Sequence, residues 1–353
     1  MTITAKNVGR RCVECLAVAL ILLPVTVAGQ ALKVRILQTN GGGDTVSVID
    51  PATDRVVGEI KGIEEGHGVV AAPDGSHIFI SIEGDKTVAV VDGKTLKEIK
   101  RIPLTGPPQN LAIAGSAGKV YVAIHGEPGG LDVIDVKTLM KTKHIALDGM
   151  RIHNPFTTPD GKFVMAESDD PKTMTDAILD TKNDEVNWKI SFDKTPRTAG
   201  FSTNPDGSTK LIFQTLSLMS GFVVVDFATH KEIRRIETPW AGGKVIGMPG
   251  PDGGPHGVPS HGLAVAPDNK SVWVDSRMDN CVYAYSLPDL KFLGYVPVGY
   301  DAMWLTFTPD SKKLYAANNG SGTVSVIDAV ARKELLQIRV GEAPKRNFTA
   351  MLP

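Results

Sequence analysis

Cysteine is scarce. The 353 residues hold three, Cys12, Cys15 and Cys281, and the first two lie in an N-terminal segment that reads as removable, so the mature chain keeps Cys281 alone and forms no internal disulfide. Its stability must come from packing. A basic surplus is missing too: 38 Lys and Arg stand against 39 Asp and Glu, and setting aside residues 1–28, which carry Lys6, Arg10, Arg11 and Glu14, leaves 35 against 38. A net charge of −3 lacks the electrostatic footprint of a nucleic-acid binder, so no nucleic-acid partner is expected. No Cys-x-x-Cys-His is present, which excludes covalent c-type haem, and there is neither a Gly-x-Ser-x-Gly elbow nor a Walker loop. With 42% hydrophobic and 22% charged residues, disorder and collagen are excluded as well.

Long apolar runs are almost absent. The one clear example, Leu16 to Val27, follows a polar stretch ending in Arg10 and Arg11 and precedes small residues at Ala28 and Ala31. That order reads as an export signal over residues 1–28, with cleavage possible to residue 31. The run is shorter than the roughly 20 residues a spanning helix needs, which favours cleavage over an anchor and leaves no membrane span afterwards. The expected location is exported, periplasmic or secreted. Sec and twin-arginine routes both stay open, although Cys12, Val13 and Glu14 after the arginine pair give the second little support.

What the chain has in quantity is punctuation. Its 36 Gly and 23 Pro favour many short elements over a few long helices. The segments VSVID, VAVVD, LDVID, DAILD, VVVDF, VYAYS and VSVID recur with anchors at Asp50, Asp92, Asp135, Asp180, Asp226, Ser286 and Asp328, spaced 42, 43, 45, 46, 60 and 42 residues apart. That period belongs to propeller blades rather than helical solenoids. Pro-Asp-Gly-like turns at 72–75, 158–161, 204–207, 266–269 and 308–311 sit between paired apolar runs and mark hairpins. Each unit therefore reads as strand A, turn, strand B, variable loop, strand C ending in a turn-capping Asp, and strand D. The fold expected is all-β: a seven-bladed β-propeller of four-stranded antiparallel blades, one domain over 32–353. Segment 33–60 supplies strands B, C and D without an A, while 347–352 offers an A-like strand with nothing after it. Pairing of the N- and C-terminal strands should close one blade and abolish the exposed sheet edge.

The units HGLAVAPDNKSVWVDSRMDNCVYAYS and MWLTFTPDSKKLYAANNGSGTVSVIDAVARKELLQIRVG resemble the bacterial YVTN repeat, and the resemblance covers nearly all of the mature chain. It implies kinship with seven-bladed propellers, many of them exported, of the YncE-like, cytochrome d1 haem-domain-like, lactonase-like and amine dehydrogenase heavy-chain-like groups. One scaffold hosts many sites, so this implies the fold far more strongly than the function.

Strand alternation puts the A–B and C–D turns on one face and the B–C and D–A loops on the other. The second face receives everything variable, including the excursion from 239 to 260, and should carry function. His77, His144 and His230 read as structural or solvated. His67, His153 and His261 share one repeat phase, each six residues before the Pro of its turn at the start of an innermost strand; His125 ends a B strand and His256 lies in the long loop. Imidazoles converging on an axis could ligate copper, zinc or iron, with His67, His153 and His261 as ligands and His125, His256 and Met303 as weaker candidates. The same count puts Asn110 and Ala199 in phase on the second and fourth blades. A purely structural use of these histidines at the channel mouth is the competing reading.

A second constellation is His153, Glu167, Arg197 and Arg277. An opening with His, carboxylate and two Arg suits a small anionic ligand, and propeller lactonases and cycloisomerases, by resemblance, place such residues there. Three functions follow: a metal- or small-ligand-binding propeller in a redox-associated or accessory role, a lactonase or cycloisomerase, and a scaffold or dehydrogenase heavy-chain-like subunit binding a protein partner on the loop-rich face. Cys281 reads as a buried apolar thiol, and Trp188, Trp240, Trp273 and Trp304 are spread over different blades.

Overall fold

The computed structural model describes residues 1–2, 31–239 and 258–353. Leu32–Pro353 form one compact unit. The proposed export signal, the loop residues His256 and Trp240, and most of the long excursion fall outside the described residues. Among the described residues no helix is long and apolar enough to cross a membrane.

In this unit, seven four-stranded antiparallel sheets follow one another along the chain. Period-two alternation builds them: in strand B of the first blade (His77–Ile82), Ile78, Ile80 and Ile82 pack toward the closing blade while Phe79 packs toward the second. Both faces of each inner sheet are thus buried, and the core is a set of layers between blades rather than one central mass. The closing blade takes its inner strand, Pro344–Leu352, from the C-terminal side and pairs it with Lys33–Asn40 from Lys33↔Leu352 to Asn40↔Pro344.

The repeated aspartates are turn caps. Asp50, Asp92, Asp135, Asp180, Asp226 and Asp328 each accept a backbone N–H two or three residues ahead, the Asx geometry that starts a C–D turn. Two blade junctions carry a polar latch as well. Asp184 accepts from Tyr121 Oη at 2.5 Å and Lys119 Nζ at 2.9 Å, and Asp54 accepts from Tyr315 Oη and Lys313 Nζ at 2.6 Å each. Burial and the facing carboxylates raise both tyrosine hydroxyls above their ordinary range. They stay protonated as donors.

Candidate functional site

Strand register, rather than distance from the turn, decides which residues occupy equivalent places around the axis. On the inner strands Val69, Leu111, Pro155, Ala199, Leu263, Leu305 and Asn347 face Ile80, Val122, Ala166, Gln214, Val274, Ala316 and Gln38 of their B strands. Two residues upstream stand His67, Gln109, His153, Arg197, His261, Met303 and Lys345. This ring opens on the loop-rich face. The count back from Pro that chose Asn110 and Ala199 is corrected to Gln109 and Arg197. Blade two replaces the Pro-Asp-Gly turn with a 3-10 turn at Gly115–Ala117, and blade four shifts register between Ser202 and Thr203.

His67 and His153 meet edge to face with ring centres 5.6 Å apart, and His125 lies 6.0 Å from His153. His67 Nδ1 is 3.5 Å from Glu83 Oε2, and both ring nitrogens are buried without a hydrogen-bond partner. Burial, reinforced by Lys345, holds the His67 imidazole well below its ordinary pKa, and His67 in turn keeps the Glu83 carboxyl ionised well below the usual range. Gln109 Nε2 donates to the other Glu83 oxygen at 2.8 Å, fixing the carboxylate. The pair is a neutral imidazole backed by an anion.

His153 Nδ1 is 3.1 Å from Asn154 Nδ2 and 3.5 Å from Glu167 Oε2. Glu167 is fully buried; burial, then Asp169, pushes its carboxyl well above the ordinary value, and Asn154 Nδ2 donates to it at 2.6 Å. His153 and His261 are likewise depressed by burial and then by Arg346. His261 departs from the expected trio: its Nδ1 sits 2.9 Å from the Met303 carbonyl and its ring 5.9 Å from Trp304. Among the described residues no group of three or more His, Cys, Asp or Glu side chains is placed to hold a metal ion. The three histidines share one mouth without converging on one point, and Met303 enters through its backbone oxygen.

The arginines of the second constellation are occupied. Arg197 spans Asp169 at 3.0 Å and Ser217 at 2.8 Å, and Arg277 forms a two-bond pair with Asp301. His125 approaches the same Asp169 at 3.9 Å. Lys345, by contrast, makes no ion pair among the described residues, and burial lowers its ammonium to about 8. It is the open cation of the ring. One step further along the closing strand, Arg346 is 2% exposed and lies with its guanidinium carbon 4.1 Å from the centre of the Trp304 ring.

Lys345, Arg346, Glu83 and Gln109 were not singled out from the sequence. The strand carrying the first two has no turn after it to set its phase, and Gln109 sits in the blade whose turn is replaced. Glu83 directly follows strand B of blade one, as His125 follows that of blade two, and that shared place was the available signal. The remaining described histidines are structural: His144 Nδ1 is 2.8 Å from Asp132, His77 Nδ1 is 2.9 Å from Ser76 Oγ, and His230 stacks on Trp188 at 4.1 Å. Cys281 is buried, and burial lifts its thiol to about 12, so it is no nucleophile at neutral pH.

No protein-family model matches the chain, and no curated protein does. Solved structures do. A hydrazine synthase chain from Kuenenia stuttgartiensis superposes with a TM-score of 0.70 at 21% identity, covering 83% of this chain and 91% of its own. The periplasmic gluconolactonase of Pseudomonas aeruginosa gives 0.69 at 17%, covering 91% and 100%. Dihydro-heme d1 dehydrogenase NirN gives 0.63 at 16%, covering 90% of this chain and 66% of the other. At these identities the likeness establishes the propeller fold and leaves activity to be argued from the site.

Proposed function

We propose that the loop-side mouth binds a small oxygen-rich anion or cyclic ester and hydrolyses it as a lactonase. One observation carries the reading: burial holds His67 neutral with its Nδ1 3.5 Å from Glu83 and neither ring nitrogen hydrogen-bonded, beside Lys345, which makes no ion pair among the described residues. With its proton on Nδ1 toward Glu83, Nε2 is the basic atom. It takes a proton from water as the water oxygen attacks the lactone carbonyl; the ring C–O bond then breaks, and the proton returns to the departing alkoxide. The product is the open hydroxy acid. Lys345 offsets charge on the carbonyl oxygen, and His153, whose Nδ1 accepts from Asn154, presents Nε2–H as a second donor. A gluconolactonase among the structures of this fold agrees with the reading without requiring it. The test is hydrolysis of glucono-δ-lactone above the spontaneous rate, with loss in His67→Ala.

A second reading rests on the facing rings of His67 and His153. Copper, zinc or iron could be taken there after a side-chain rearrangement that adds a third ligand. Elemental analysis after loading, repeated on a His67/His153/His261 triple alanine variant, tests it; equal metal content in the two proteins rules the reading out. The N-terminal basic and apolar pattern supports export in either case, and signal processing in a bacterial host would check it.

A further inference from the structure

The axial channel has a second end. On the turn-rich face a cavity of about 480 Å³ runs inward from the Gly115–Ser116 and Pro159–Gly161 turns, and none of the seven residues of the histidine ring lines it. Its walls are mainly apolar, with Leu111, Ile113, Phe156, Phe201 and Phe348 among them, together with polar Asn110, Thr157 and Asn347, and Trp304 and Arg346 also line it. Phe156 lies nearly parallel to the Trp304 ring at 6.3 Å. The size is in the range of small-molecule sites, roughly 300–1,000 Å³.

Arg346 makes this end unusual. Its guanidinium has no carboxylate within ion-pairing distance among the described residues, Nε is buried without a partner, and Nη1 reaches only the Lys345 carbonyl at 3.4 Å. The nearest acids it senses, Glu167 and Asp275, are both fully buried and pushed toward their neutral forms, Asp275 to about 8. A buried cation without a counterion is costly, and a bound anion is what removes that cost. Apart from Arg346, the only charged residue in the lining among the described residues is Asp160, in the turn at the rim, with Oδ1 engaged by Thr158. We propose that this turn-face funnel is a second binding site, for a monocarboxylate with a ring-sized apolar body, its carboxylate on Arg346 and its body against Trp304, Phe156 and Phe201. The site does not require lactonase chemistry at the other mouth.

Calorimetric titration of the whole protein with 2-naphthoate and its neutral counterpart 2-naphthamide tests this. One naphthoate is expected per chain, with the amide at least tenfold weaker. Ile113→Trp, which fills the funnel away from Arg346, should abolish binding, and Arg346→Met should weaken it at least tenfold, with thermal melts confirming that both variants fold. His67→Ala, at the opposite mouth, should leave naphthoate affinity unchanged. Equal affinity for acid and amide, wild-type affinity in Ile113→Trp, or loss in His67→Ala alone would each overturn the proposal.

Discussion

The guanidinium of Arg346, from the closing blade, lies 4.1 Å above the ring of Trp304 from the neighbouring blade, and the two stand between the histidine ring and the turn-face cavity. This contact divides the axial channel into a polar mouth and an apolar funnel. It also adds to what burial does at the mouth, because Arg346 is the largest influence after burial lowering the pKa values of His153 and His261.

Arg346→Met should therefore raise the pKa values of His153 and His261 toward the ordinary imidazole value, read as ring resonances titrating by NMR. A depressed histidine loses its stability contribution as pH falls through the folded pKa, so the variant's acid-side loss should shrink. Exchanging an unpaired buried cation for an apolar side chain of similar length should leave stability at pH 7 equal or higher.

Asp184→Ala removes one acceptor from three donors at a blade junction, the buried Tyr121 hydroxyl, Lys119 and Lys143. Leaving them without it should cost roughly 3 kcal/mol in urea unfolding. Tyr121→Phe, which deletes a donor and keeps the ring, should cost less.

Asp275→Asn addresses the floor of the mouth. Asp275 accepts from the His261 and Gly262 backbone N–H groups at 2.7 Å each, and burial lifts its carboxyl to about 8. A raised acid stabilises most below its unfolded pKa and loses that contribution as pH rises through the folded one. The wild-type advantage over Asp275→Asn should thus be largest near pH 4 and shrink toward pH 8. An advantage that grows with pH would show the carboxylate to be ionised in the folded state.

Much of the architecture was legible because a propeller writes its turns into the chain. Pro-Asp-Gly hairpins and aspartates such as Asp92 and Asp135 are local devices, recognisable without knowing what packs on them. The site was less so. His67, His153 and His261 could be placed by counting from a turn, since their blades keep a regular hairpin. Gln109 and Arg197 could not, because a 3-10 turn and a register shift change the count, and Lys345 was hidden where one blade is assembled from both ends of the chain. Pairing of Arg197 and Arg277 with Asp169 and Asp301 depends on neighbouring blades, which no spacing within one repeat records.

Glu83→Gln probes the proposed base without removing it. The carboxylate raises the His67 pKa, so neutralising it should lower that pKa further. The acid limb of kcat/KM for lactone hydrolysis should move to lower pH while the plateau falls, because a weaker base is left with a less fixed proton. An unmoved acid limb would separate Glu83 from the titrating group.

The most direct measurement is the rate of glucono-δ-lactone hydrolysis by the wild-type protein and by His67→Ala, followed by proton release under identical buffering. Turnover well above the spontaneous rate, falling by about 100-fold or more in the variant, is the result this account predicts. Wild-type turnover that His67→Ala leaves intact, or no turnover above background across a series of γ- and δ-lactones, would contradict it.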